Sequence, residues 1–289
     1  MLRYLLPAKS YSGLGFPAND YPSNATLGLH LRRAASNMTL NKAPAGPLRC
    51  VVTGGLNGIG REVAVRLHAS GGNVVVIDRT TGDAPVGVGC VRGDLLELPQ
   101  LGNFLEQAID KLDGRIDVLV NCAGIYEPTP IRDFDLSVYE RVMSVNLHAA
   151  VQLSVLAGCR MAEQSWGRIV AVASIHAGHA EAGSLAYGIS KAALEQACRG
   201  LAVELAPYNV LVNSVSPGFV DTDMARPGGM SEYDTPIFRD FYVGHRRLPL
   251  GRPAHPSEVA EAIAWLASPE NSYMTGSTLT IDGGLTATF

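Results

Sequence analysis

Leu48-Arg49-Cys50-Val51-Val52-Thr53-Gly54-Gly55-Leu56-Asn57-Gly58-Ile59-Gly60 decides the fold. It begins as a short apolar run of strand type and ends in glycines. A helical pattern then continues through Ala69. Strand, glycine-rich turn and helix in that order let backbone N–H groups approach a pyrophosphate at a helix N-terminus. The spacing is G-x-x-x-G-x-G rather than the G-x-G-x-x-G of the best-known dinucleotide fingerprint. The loop alone is weak; its place between a strand and a helix, at the start of a domain, strengthens it.

Outward from this unit the pattern repeats. Asn73–Asp78 reads as a second strand and ends in an acid about twenty residues past the glycines. A carboxylate there accepts from the adenosine ribose hydroxyls and repels a 2′-phosphate, which favours NAD over NADP; the neighbouring Arg79 works the other way. Residues 80–87 read as loop, so no crossover helix is expected between strands two and three. Gly89–Arg92 is strand, followed by Gly93-Asp94, and Leu98–Leu112 is helical. Ile116–Val120 is strand, ending in Asn121-Cys122-Ala123-Gly124, a small-residue turn suited to close backbone approach. Residues 136–163 are helix-like and contain Asn146, which needs buried partners; a structural bond to a neighbouring strand is one reading. Arg168–Ala173 is a buried parallel strand. Val210–Val215 and Ser277–Ile281 complete the strands, and Pro256–Ala267 is a helix. The long irregular stretch 224–250, with Tyr233, Phe238, Phe241 and Tyr242, reads as a substrate cover. The fold class is α/β: one doubly wound parallel sheet of Rossmann type flanked by helices, spanning residues 48–289.

Chemistry concentrates in Tyr187-Gly188-Ile189-Ser190-Lys191 and in Ser174, thirteen residues before the tyrosine. Tyr187 and Lys191 are four apart and share one face of a helix. Ser174 closes a strand at the end of the sheet where α/β ligands bind. A tyrosine near pKa ~10 is a poor base at neutral pH, and an ammonium one turn away would lower it. Tyr187 could then exchange a proton with an alcohol or carbonyl while the Ser174 hydroxyl holds the same oxygen.

Composition narrows the alternatives. The chain has 289 residues, 47% hydrophobic and 17% charged, with 31 glycines and a net charge of −4. That charge gives no electrostatic case for nucleic acid or an anionic membrane. No apolar run approaches the ~20 residues of a membrane span. Five cysteines without a C-x-x-C pair read as reduced core thiols of a cytoplasmic protein. His176 and His179 lack a third ligand at metal-site spacing, so no metal is expected; with Tyr126 and Phe219 they read as pocket lining. Residues 1–47 are proline-containing and nearly acid-free. They fit a disordered extension, an over-long start with Met38 opening the domain, or an organelle transit peptide.

TGGLNGIG, Asp94, NCAG, Asn146, Ser174, YGISK and SPGFVDT, in this order, resemble the short-chain dehydrogenase/reductase family over residues 48–289. The resemblance implies catalysis by Asn146, Ser174, Tyr187 and Lys191, with Asn146 anchoring a proton-relaying water and Lys191 binding ribose. It implies cofactor contacts from Gly54, Asn57, Gly58, Ile59, Gly60, Asp78, Asp94 (to adenine), Asn121, Ala123, Gly124, Pro217, Gly218, Val220 and Thr222 (to the nicotinamide carboxamide). It also implies a homotetramer. The absent crossover helix and the DGG ending look like NAD-dependent dihydrodiol dehydrogenases, and the ending also looks like 3-oxoacyl-carrier-protein reductases. The expected function is hydride transfer between NAD(H) and a secondary alcohol or ketone, with a cyclic diol as one substrate class. Alternatives are an NADP(H)-dependent 3-oxoacyl-thioester reductase and a non-catalytic NAD(H)-binding regulator.

Overall fold

The computed structural model describes residues 43–80 and 82–287. The expected disordered extension, over-long start and transit peptide therefore fall almost wholly outside the described residues. Seven strands run parallel: β1 (Arg49–Thr53), β2 (Asn73–Asp78), β3 (Gly89–Arg92), β4 (Val118–Asn121), β5 (Gly167–Val172), β6 (Val210–Pro217) and β7 (Thr278–Ile281). Their order is β3-β2-β1-β4-β5-β6-β7. The chain builds outward from β1 in one direction, then returns to β1 and builds outward in the other. The crevice between β1 and β4 is the switch point, where loops diverge at the strands' C-terminal ends.

Side chains alternate across the sheet. Cys50 and Val52 of β1, with Val74 and Val76 of β2, face α1 (Gly58–Ala69) and α6 (Pro256–Ala267). Val51, Val75 and Ile77 face α2 (Leu101–Asp110), α4 (Ala150–Gln164) and α5 (Leu185–Leu205). Both faces are covered, so the strands can be apolar throughout, as β2 is in Val74-Val75-Val76-Ile77. Each fully buried Leu or Ile contributes ~1.5–3 kcal/mol.

No helix lies between β2 and β3 among the described residues, as the loop chemistry of 80–87 predicts. α6 begins at Pro256, where the fixed φ and missing N–H cost nothing, behind a capping box made by His255 and Glu258.

Two expectations need correction. The helix Leu136–Gln164 is long and apolar enough, by length and composition, to cross a membrane. It consists of α3 (Leu136–Met143), a π turn at Ser144–Ala149, and α4. Its apolarity serves the core here: Leu153, Ala157 and Met161 are completely buried over the sheet. All five cysteines are free thiols, but Cys159 is exposed on α4 and so is not a core thiol.

Candidate active site

Every sequence-predicted site residue lies at or just beyond the C-terminal end of a strand, or on a helix or turn that faces those ends. Parallel pairing carries all these loops to one edge.

The glycine loop leaves β1 at Gly54, whose φ is +65°. A Cβ there would lie 2.8 Å from the Ala123 Cα. A Cβ on Gly60 would overlap the Gly54 carbonyl oxygen. Only glycines let the loop close this tightly against the turn after β4. Asn57 is the N-cap of α1 and makes no side-chain capping bond, and the first turn has no acid. The helix start, with Gly58 and Ile59, thus keeps its N–H groups and positive dipole end available to an anion. Thr222 closes the other side: its Cγ2 is 3.2 Å from where a Gly58 Cβ would stand.

Asp78 ends β2 beside this loop. Its Oδ2 accepts from the Leu56 N–H at 3.2 Å, and its Oδ1 accepts from the Thr80 N–H and hydroxyl, both at 3.1 Å. Arg79 is exposed, and so is Arg92, which lies opposite Asp78 in the ladder. Asp94 follows β3 and accepts from the Leu96 N–H at 2.9 Å.

The turn after β4 is pinned from two sides. The Thr53 hydroxyl accepts from the Cys122 and Ala123 N–H groups at 3.1 and 3.2 Å. Asn121 turns its amide away to donate to Ser154 at 2.8 Å, so it supports the turn from behind. Gly124 faces the catalytic group: a Cβ there would lie 3.4 Å from Lys191 Nζ and 3.5 Å from Asn146 Oδ1. On the far side, Pro217 ends β6 and Gly218 donates to the Ile281 carbonyl at 2.9 Å. Val220 is buried, and its carbonyl accepts from Tyr233 at 2.8 Å.

Asn146 sits in the π turn. Its amide donates to the Ile125 carbonyl at 2.9 Å and to Ser190 Oγ at 3.2 Å, and its Oδ1 accepts from the Ile125 N–H at 2.8 Å. These are the buried partners it requires, and they lie on the loop after β4 and on α5. Ser174 follows β5 and is 7% exposed. Its hydroxyl accepts from the His176 N–H at 3.2 Å, and it lies near enough to the Tyr187 phenol to lower its pKa. Lys191 is 3% exposed and donates to the Val172 carbonyl at 2.7 Å; its Nζ is 5.5 Å from the Tyr187 ring centroid.

The pKa pattern departs from the expected lowering of Tyr187 by Lys191. Burial pushes the Tyr187 phenol up to about 12, against a lowering by the Ser174 hydroxyl. Burial also pushes Lys191 down to about 8, with the Cys122 thiol acting the other way. Loss of hydration is the largest cause of both shifts. The protein alone holds Tyr187 as a proton donor.

Two rings frame Tyr187 that the motif did not single out as partners. Tyr126 and His176 each stand edge-on to it, with centroids 5.5 Å away. Tyr126 is anchored by Ser184 at 3.2 Å, and His176 Nε2 meets Glu181 Oε2 at 3.1 Å. No sequence spacing signals this His–Glu pair, because both residues lie in an irregular loop. Beyond the framing rings, the 219–250 stretch folds on its own aromatic centre: Phe219 packs at 5.9, 5.1 and 4.8 Å against Tyr233, Phe238 and Tyr242.

The residues fit a dinucleotide. The glycine cradle admits only backbone, the helix start is uncapped by side chains, and donors and acceptors converge on one crevice. Bound there, a nicotinamide dinucleotide would supply or accept the hydride. Gly54, Asn57, Gly58, Ile59 and Gly60 would hold its phosphates, and Asp78 its ribose.

Residues 54–286 match a family model described as Enoyl-(Acyl carrier protein) reductase. The chain is 35% identical over 247 residues to a 3-oxoacyl-(acyl-carrier-protein) reductase of Aquifex aeolicus, covering 81% of this chain and 96% of that one. It is similar to the crystal structure of a short-chain type dehydrogenase/reductase from Mycobacterium marinum, with a TM-score of 0.76 and 30% identity, over 84% of this chain and 97% of that chain. It is also similar to a gluconate 5-dehydrogenase from Burkholderia cenocepacia in complex with NADP and tartrate: TM-score 0.78, 26% identity, 86% and 99% covered.

Proposed function

We propose, for a chain that belongs to the short-chain dehydrogenase/reductase family, an NAD-preferring oxidation of a secondary alcohol and the reverse reduction of its ketone. The class is an NAD(P)-dependent oxidoreductase of CH–OH and ketone groups. The observation that carries the roles is the convergence of buried Ser174, Tyr187 and buried Lys191 at the sheet's C-terminal edge, with Lys191 Nζ 5.5 Å from the Tyr187 ring. Ser174 holds the reacting oxygen. Tyr187 gives its proton to a ketone oxygen, or takes one from an alcohol once its phenolate is stabilised. Lys191, fixed to the end of β5, supplies the positive charge that favours that phenolate. Asn146 ties the loop after β4 to α5 and keeps Lys191 and Gly124 in register.

NAD preference rests on Asp78, whose carboxylate beside the glycine loop opposes a 2′-phosphate. A second reading has its own support: an NADP-dependent 3-oxoacyl-thioester reductase. The Aquifex aeolicus relative bears that reductase name, the Burkholderia cenocepacia neighbour holds NADP, and Arg79 stands exposed next to Asp78. The exposed apolar side chains Val155, Leu185, Ile189 and Val203 on α4 and α5 suit subunit pairing, and a homotetramer is the proposed assembly.

The experiment is reduction of NAD⁺ and NADP⁺ against cyclic diols, simple secondary alcohols and 3-hydroxyacyl thioesters, with Tyr187→Phe alongside. A loss of ~10²–10⁴-fold in turnover with cofactor binding retained is expected for the variant. Full turnover in Tyr187→Phe would remove the assigned acid/base. Turnover of the thioester alone, with NADP⁺, would select the second reading.

A further inference from the structure

We propose that Glu181, held in place by His176, is the specificity-determining residue of this site, and that it selects an uncharged substrate carrying a second hydroxyl close to the reacting carbon. This rests on the oxidoreductase reading of Ser174 and Tyr187.

His176 lies two residues past Ser174. Its backbone N–H is donated to the Ser174 hydroxyl at 3.2 Å, and its ring stands edge-on to Tyr187 at 5.5 Å. The imidazole is therefore the neighbour of both groups that hold the reacting oxygen. Its two nitrogens have different surroundings. Nδ1 is buried without a partner among the described residues, whereas Nε2 meets Glu181 at 3.1 Å. A proton on Nδ1 would have no acceptor, so the ring carries its proton on Nε2 and donates it to Glu181. Burial also lowers the His176 pKa, against the raising effect of Glu181, which keeps the ring neutral.

The pair thus presents a carboxylate toward the substrate. Glu181 is 56% exposed at its side chain, and a carboxylate has about four acceptor positions. His176 takes one of them. The 219–250 stretch faces it: Glu181 raises the pKa values of both Glu232 and Tyr242 by its charge. Outward from Tyr187 stand His176 and then Glu181. Arg247 lowers the Tyr242 pKa by its charge and stacks on Phe241 at 4.6 Å.

A carboxylate held by the ring that stands against Tyr187 accepts from an O–H or N–H donor on that side of the substrate. A hydroxyl on the carbon beside the reacting one supplies it within a single hydrogen-bond length. An acyl thioester offers no donor at that place, and a carboxylate-bearing substrate is repelled.

The test measures kcat and KM of the full-length enzyme, with NAD⁺ and NADP⁺, for cyclohexane-1,2-diol (cis and trans) and for cyclohexanol. It compares the natural chain with Glu181→Gln and His176→Asn. The natural chain should favour the better diol by about tenfold or more in kcat/KM, because hydrogen bonds to charged groups are the strong ones. Glu181→Gln should cut that ratio at least fivefold, chiefly through the KM of the diol, and His176→Asn should cut it less. A natural chain that does not prefer the diol, or a ratio unmoved in Glu181→Gln, overturns the proposal. If no alcohol is turned over with either cofactor, the oxidoreductase reading fails. Calorimetric binding of the diol then decides this proposal separately: weaker binding to Glu181→Gln supports it, and equal or undetectable binding overturns it.

Discussion

Strand β5 has a buried cation near each end, and the two are treated in opposite ways. At its start, Arg168 is 2% exposed and donates to the carbonyls of Gly167, Asn209 and Asn271, the last through two nitrogens. It also stacks on Trp166 at 4.3 Å. At its end, Lys191 reaches Val172 through one bond. Burial lowers both pKa values, Arg168 to about 10 and Lys191 to about 8. The guanidinium therefore stays charged near neutrality and is surrounded by acceptors. The ammonium is held close to losing its proton. One end of the strand uses its charge for structure, and under the proposed function the other keeps it for chemistry.

Breaking the chemical end should have the largest effect. Lys191→Met is expected to lower turnover by ~10²–10⁴-fold. At pH 7 the same change should raise stability by about 1–2 kcal/mol, because it removes a desolvated charge with few partners. A denaturant melt and initial rates on one preparation check both. Activity retained with stability lost would make Lys191 a structural peg.

Breaking the structural end should do the reverse. Arg168→Met leaves carbonyls of Gly167, Asn209 and Asn271 without their donor, and should cost about 4 kcal/mol. Turnover per folded molecule should be unchanged. A variant as stable as the natural chain would end the contrast.

The smallest effect sharpens the comparison through pH. Between pH 8 and the ordinary lysine value of 10.5, the unfolded chain holds a proton that folded Lys191 has released. Stability from this group is therefore lowest below pH 8 and rises through that window, by at most ~3 kcal/mol. The stability advantage of Lys191→Met over the natural chain should shrink above pH 8 and vanish by about pH 10. A constant gap would show that the lysine is not desolvated in solution.

These two ends were not equally legible. Asn73–Asp78, Gly89–Arg92 and Pro256–Ala267 were readable to the residue, because β-branched runs, glycine breaks and proline at a helix start are local signals. Ser174, Tyr187 and Lys191 were readable because their chemistry fixes their spacing. The far end was not. Asp117 is completely buried, accepts from the Arg49 N–H at 2.9 Å, and pairs with Arg115 at 2.7 Å. Nothing in Ile116-Asp117-Val118 announces this, since the partners come from β1 and from the preceding turn. Arg168 was likewise read as the ordinary first residue of a strand, because its acceptors lie 1, 41 and 103 positions away in sequence. The π turn at Asn146 and the fields around Tyr187 also depend on packing. Residue types could suggest that an ammonium lowers a phenol, but not that burial would overrule it.

The stacking of Trp166 beneath Arg168 has a practical consequence for light. The sequence contains two tryptophans, Trp166 and Trp265. Trp166 is 3% exposed and Trp265 is 47% exposed. Their emission should separate into a shielded band and a solvent-facing band. A quencher dissolved in the buffer reaches Trp265 first. The shielded band then reports on the start of β5 by itself, so the chain carries its own optical probe of the end of the strand opposite the candidate site.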